Sequence, residues 1–365
     1  DAPRAELFLD GEKIANDDPR LPKDWYSTDL WTTFGLKFID EALAAKKPFY
    51  LHLCHNAPHF PLQAPKADIE KFLGKYQLGC EEVRARRYAR QLEMGLIDKQ
   101  WASSPMPNAI KAWKDVPAAE QKRFDQLMAT YAAVMYRMDK AIGDLVAGLK
   151  QRGVLDNTLI LFMSDNGGNA EAGANGRTEG DPSKGNSNWF SGESWAYAQN
   201  TPFRLYKHFN HEGGVSTPLI AHWPKGIPAE RHGKLEPQPA HLIDVMATAV
   251  DLSSATYPAT FAGHRILPME GISLRPAFAG TALHRVKPIF WEHEGNRAMR
   301  DGKWKLVTKS IPRKPKNPLK DKVTWELYDM STDMTETQDV AKENSEVVQR
   351  LSQLWQKWYA ESYGF

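Results

Sequence analysis

The stretch Thr158-Leu159-Ile160-Leu161-Phe162-Met163-Ser164-Asp165-Asn166-Gly167-Gly168 decides the fold. Residues 158–163 are apolar without alternation, which predicts a strand buried on both faces. Upstream, Leu127, Tyr131, Val134, Met138, Ile142, Leu145 and Leu149 follow one another by three or four residues. That is the continuous apolar stripe of a long helix, ended by Gly153 with Arg152 in its last turn. A long helix feeding such a strand is the βαβ signature of a parallel sheet, so the fold class reads as α/β.

Working outward, Leu30, Phe34 and Phe38 mark a helix over Thr28–Ala45. Phe49–Leu53 and Thr217–Trp223 read as further buried strands, and residues 240–252 as a helix. From about Lys287 the grammar changes. Pro288–Trp291, Arg297–Arg300, Lys303–Val307 and Trp325–Tyr328 are short strand candidates, with Asp301-Gly302 as a hairpin turn. Val347–Tyr359 is a helix with Leu351, Leu354, Trp355 and Trp358 on one face. The expected organisation is a main α/β domain over 1–286 and a small antiparallel-sheet-plus-helix domain over 287–365.

Length and composition bound the rest. The 365 residues, 42% hydrophobic and 25% charged, suffice for a main domain plus a small one without staples. No apolar run approaches the roughly 18 residues of a membrane span. A net charge of +2 gives no case for nucleic acid. Two cysteines, Cys54 and Cys80, exclude a disulfide scaffold and a cysteine-rich zinc module; whether they pair is open at this stage.

Ligands of an open parallel sheet bind beyond the carboxyl ends of its strands. Asp165 and Asn166 follow one such end and offer hard oxygens suited to Ca²⁺ or Mg²⁺; a capped turn fits the same residues. Phe49–Leu53 leads to His55-Asn56-Ala57-Pro58-His59-Phe60-Pro61, where the prolines hold His59 rigid. A rigid imidazole donates to an anion or moves a proton; a histidine bonded to loop backbone is the plainer alternative. The third cluster, Arg204 to Gly214, gathers Arg204, Lys207, His208 and His211 before a glycine pair. It suits an anionic group, or equally a solvated charged loop. Trp189 and Trp195, near the Asp165–Asn166 turn in sequence, are candidates for stacking on a sugar. The basic run from Lys309 to Lys322, with Arg313, Lys314, Lys316 and Lys320, suits a sulfated polysaccharide or a solvated loop.

Taken together, the segments His55 to Pro65, Ser164 to Gly168 and Thr201 to Pro224 resemble the sulfatase family of the alkaline-phosphatase-like superfamily. Gly302-Lys303-Trp304-Lys305-Leu306 and Glu326-Leu327-Tyr328-Asp329 resemble that family's C-terminal domain. The resemblance implies a three-layer α/β/α sandwich with a mostly parallel central sheet, incomplete at the N-terminus. It implies sulfate monoester hydrolysis, with Asp165 and Asn166 as two ligands of a divalent cation, usually Ca²⁺ with Mg²⁺ as second choice. Lys207 aligns with a sulfate-binding lysine. His59 aligns with a histidine that contacts the sulfate and serves the leaving oxygen. His211 is a pocket candidate without such an alignment. The chemistry suits these residue types, because a sulfate ester needs cations on its non-bridging oxygens and an acid for the leaving alcohol.

The family's nucleophile is a formylglycine hydrate made from a Cys/Ser-x-Pro-x-Arg motif, and these 365 residues contain none. Neither Cys54 nor Cys80 lies in one. The expectation is a chain that begins at Asp1 inside the family's catalytic domain, a fragment inactive alone, with the missing N-terminal segment on a separate chain as one expected partner. Two other readings remain: a phosphate or phosphonate monoester hydrolase of the same superfamily, and a truncated non-catalytic relative that binds anionic sugars. The family context implies a periplasmic or secreted location.

Overall fold

The computed structural model describes residues 6–309, 319 and 321–363. Asp1 and most of the basic run, including Arg313, Lys314, Lys316 and Lys320, lie outside the described residues. The chain forms two compact units. The first runs up to Arg90 and takes in Pro105–Leu155 and Gly168–Thr201; the second takes in Gln91–Ser104, Asp156–Gly167 and everything from Pro202 on.

In the first unit, helix α1 (Ser27–Ala44) packs along helix α2 (Ala118–Gln151). The stripe read from the sequence drives this: Leu30 and Ile39 of α1 are buried, as are Leu127, Val134, Met138 and Leu149 of α2. Gly148 permits the close approach, since a Cβ there would lie 2.5 Å from Leu36 Cδ2. Ion pairs flank the seam. The Arg137 guanidinium donates to Asp29, and Arg152 to Asp40 at 2.6 and 2.7 Å. Gly153 follows α2 with φ +69°, a backbone region that favours glycine.

Residues 49–53 form no strand and join no sheet. Leu51 and Leu53 lean on α1, where a Cβ at Gly35 would stand 3.3 and 3.7 Å from them, while Tyr50 is 73% exposed. The expected buried strand is thus an alternating segment held by side chains on a helix, without a backbone ladder. Trp189 and Trp195 are core residues rather than sugar platforms. They pack with Leu62, Phe124, Leu127 and Met128, and Trp195 is fully buried.

In the second unit, strand β1 (Ile160–Met163) pairs with β2 (Leu219–His222) in antiparallel register, Ile160 opposite His222 and Met163 opposite Leu219. The α/β class stands, but this pair is antiparallel where a parallel neighbour was expected. The reason is a long-range return of the chain. The chain returns to the end of β1 that it left, and Thr217 Oγ1 donates to the Ser164 carbonyl at 2.8 Å, so β2 runs back along β1. Neither strand is buried on both faces: β1 is half-buried, and Ile220 of β2 is 58% exposed. Each has one ladder partner among the described residues.

Strands β3 (Ile289–His293), β4 (Asn296–Asp301), β5 (Trp304–Thr308) and β6 (Glu326–Asp329) form an antiparallel sheet in the order β6-β5-β4-β3. Gly302 makes the β4–β5 turn at φ +58°. Helix α3 (Ser345–Tyr363) lays Leu351, Trp355 and Tyr359 on Met299, Leu306 and Leu327, all buried. Cys54 and Cys80 are both free thiols. Among the described residues no helix is long and apolar enough to cross a membrane.

Candidate active site

The β1–β2 register decides where the chemistry-bearing residues of the second unit meet. Because β2 starts where β1 ends, the Asp165–Asn166 turn lies against the glycine-rich segment before β2. The Gly167 amide donates to the Gly214 carbonyl at 3.1 Å. Asn166 Nδ2 donates to the Gly167 carbonyl at 2.9 Å, which leaves Oδ1 as an oxygen donor, and the Asp165 carboxylate is exposed. This pair fits a hard cation. It supplies two of the roughly six to eight oxygens that Ca²⁺ takes.

Residues 204–214 fold back on themselves tightly. A Cβ at Gly213 would lie 2.2 Å from the Leu205 carbonyl oxygen, and one at Gly214 would lie 1.9 Å from that of Phe209. Only glycine fits either place. Lys207, half-buried, sits in the bend between Leu205 at φ +65° and His208 at φ +84°. Such values are uncommon for side-chain-bearing residues and persist where surroundings over-determine them.

Those surroundings are charged and buried. Lys305 Nζ, fully buried, lies 2.5 Å from Glu212 and 2.8 Å from Glu336. The Glu212 amide donates to Glu336 at 2.8 Å. Burial alone would raise the Glu212 pKa, but the Lys305 ammonium outweighs it and holds the carboxyl below its ordinary range. Glu326 forms a second node. Arg204 donates to it at 2.7 Å, Tyr328 at 2.6 Å, and His211 Nε2 lies 3.1 Å away. Burial pushes the Glu326 pKa up, yet these partners win and bring it down to about 2.

The candidate residues therefore separate. Asp165, Asn166, Lys207 and His211 are in the second unit, and His59 is in the first. His211 is fully buried with its ring on Glu326. His59 is exposed. Its Nδ1 lies 2.7 Å from the Phe60 carbonyl, which can only accept, so Nδ1 carries the proton. The His59 ring lies on Phe60, which stacks on Phe190 at 3.9 Å. Trp31 Nε1 holds the loop by donating to Asn56 Oδ1 at 2.9 Å. Sequence reasoning missed Lys305, Glu326 and Glu336. Lys305 and Glu326 lie in segments already matched to the C-terminal domain, but nothing local marks them as buried ion partners.

The sequence model of one family, Sulfatase, matches residues 7–255, more than half of the chain. The chain belongs to the sulfatase family. An uncharacterized sulfatase of Schizosaccharomyces pombe is 31% identical to it over 97% of this chain and 66% of its own. The arylsulfatase of Klebsiella aerogenes is 32% identical over 73% of this chain and 58% of its own. The crystal structure of Ps i-CgsB superposes with a TM-score of 0.61 at 26% identity, covering 97% of this chain and 58% of that one. The same protein has been crystallised with k-i-k-neocarrahexaose. The chain thus spans between 58% and 66% of the length of these relatives. The fold is the mixed α/β fold of these sulfatases, with the C-terminal antiparallel sheet.

Proposed function

We propose that this chain supplies the sulfate- and cation-binding part of a sulfuric ester hydrolase acting on sulfated carbohydrate. The observation that carries the reading is the hydrogen-bonded apposition of the Asp165–Asn166 turn and the Lys207 segment, through Gly167 to Gly214 and Thr217 to Ser164. It brings a hard-oxygen pair and an ammonium-bearing turn to one end of one strand pair.

Asp165 and Asn166 would hold the divalent cation, with Ca²⁺ favoured over Mg²⁺ because Ca²⁺ gathers more oxygens in a more flexible arrangement and Mg²⁺ gives up its waters reluctantly. The cation, when bound, supplies Lewis-acid polarisation of a sulfate oxygen. Lys207 donates to a non-bridging oxygen, and its charge is held in a bend that the glycines and the buried ions fix. His59, a residue of the first unit, is assigned to the leaving oxygen by its alignment alone; the Phe60 carbonyl engages its Nδ1–H, so a proton given to that oxygen would come from Nε2. His211 does not touch substrate; it positions the Lys207 segment through Glu326. Carbohydrate as the alcohol half is supported by the neighbour crystallised with k-i-k-neocarrahexaose.

The 365 residues contain no Cys/Ser-x-Pro-x-Arg motif, so binding rather than turnover is the expected activity of this chain by itself. Titration with an aryl sulfate in the presence of Ca²⁺ tests the reading. Lys207→Ala weakens binding roughly ten- to hundredfold, the worth of one charge-assisted hydrogen bond. Asp165→Ala weakens Ca²⁺ binding in the same titration. Unchanged affinity in Lys207→Ala removes the sulfate assignment, and calcium-dependent hydrolysis by residues 1–365 alone overturns the expectation of inactivity.

A further inference from the structure

The turn between β3 and β4 meets the residue that follows Lys207, and three metal-ligating side chains converge there. His208 Nδ1 lies 3.0 Å from a Glu294 carboxylate oxygen. The His208 and His293 rings stack with centroids 5.8 Å apart and planes 22° from parallel. One ligand atom from each of His208, His293 and Glu294 lies within 4.8 Å of the other two.

The backbone commits itself to this convergence. His208 has φ +84° and Glu294 φ +51°, both in the left-handed region that favours glycine. Asn296, fully buried, bridges the two segments: its Nδ2 donates to the His208 carbonyl at 3.0 Å and to the His293 carbonyl at 3.2 Å. Asn210 Nδ2 returns a bond to the Asn296 carbonyl at 2.8 Å. Two uncommon backbone conformations held by one buried amide direct the three side chains toward one point, the kind of outlier from which a functional site is inferred.

We propose that His208, His293 and Glu294 form a binding site for a divalent transition metal of the Zn²⁺ class. Two imidazoles and one carboxylate are the donor set such ions take, whereas Ca²⁺ takes oxygen alone. Tetrahedral bonds of about 2.0–2.2 Å need ligand atoms roughly 3.3–3.5 Å apart. The His208–Glu294 pair already stands near that separation, and His293, an exposed side chain, turns in to close the remainder. Three protein ligands leave a fourth position for water. The His208 side chain is 11% exposed and that of Glu294 30%, so an ion enters from the His293 side. Bound there, it ties the Lys207 segment to the β3–β4 turn. The site shares no residue with the Asp165–Asn166 pair and stands independently of the sulfate reading.

The test uses the full chain, free of any histidine tag and dialysed against a chelator. It is titrated with Zn²⁺ by calorimetry and with Co²⁺ by visible absorbance. One equivalent binds per chain, Co²⁺ gives the absorbance of a four-coordinate ion, and Zn²⁺ raises the melting temperature. His293→Ala, on an exposed side chain, lowers affinity by at least about tenfold, and His293→Asp recovers part of it by restoring a ligand. Asp165→Ala leaves Zn²⁺ affinity unchanged. No binding by the unmodified chain, unchanged affinity in His293→Ala, or equal loss in Asp165→Ala each overturns the site.

Discussion

Two segments present candidate catalytic side chains, and they are fixed by opposite means. The Lys207 segment is held by charges: Glu212, Lys305 and Glu336 in one buried node, and Glu326 with Arg204, Tyr328 and His211 in another. The His59 loop stands on contacts of another kind. It is held by proline geometry, by Phe60 on Phe190, and by single hydrogen bonds from Trp31 and to the Phe60 carbonyl. A long, flexible lysine carries a charge that must be placed by its backbone, so the backbone is over-determined. An imidazole has two side-chain torsions, so one carbonyl and a stacked ring suffice.

The comparison breaks most visibly at Lys305. Lys305→Met leaves the Glu212 and Glu336 carboxylates buried without their cation, and removing one partner of such a set costs about 3–5 kcal/mol. Urea unfolding measures it; a loss below 1 kcal/mol would mean the node does not hold the segment.

A smaller effect comes from Glu326, whose pKa is down to about 2 against an ordinary 4.5. A depressed folded-state pKa stabilises above the unfolded value and loses that contribution as pH falls through the folded one. Unfolding free energy therefore declines between about pH 4.5 and pH 2, by on the order of 2 kcal/mol from this group. In Glu326→Gln that decline flattens. A pH profile identical to that of the unmodified chain would remove Glu326 as a determinant.

The smallest effect belongs to the His59 loop. Trp31→Phe deletes the bond to Asn56 Oδ1 and costs about 0.5–1.5 kcal/mol, the net worth of one hydrogen bond. A cost matching that of Lys305→Met would erase the contrast between the two segments.

Much of this was legible in the residues. The α2 stripe, its Gly153 stop, the Asp301-Gly302 turn and the apolar face of α3 are local periodicities or local turn chemistry, and each element forms where its pattern lies. The family was legible in the ordered motifs from His55 to Asp329. Direction and burial of strands were not. The apolar run at 158–163 and the one at 217–223 carry no mark of which neighbour they meet, and the register came from Thr217 reaching Ser164 across 53 positions. The same distance in sequence hid the site's support. Lys305 finds Glu212 across 93 residues, and His211 finds Glu326 across 115; no window of sequence contains both partners.

By itself, then, the sequence determined the helices, the C-terminal sheet, the sulfatase membership and the residue types available to hold a sulfate and a cation. Periodicity and turn preference act between near neighbours, which is why these could be read in order. Only the tertiary structure decided that β1 and β2 run antiparallel, that His211 is buried against Glu326, and that Trp189 and Trp195 are core. It alone put His208 beside Glu294. Burial and ion pairing depend on which distant segments close on one another, and closure in space leaves no period along the chain.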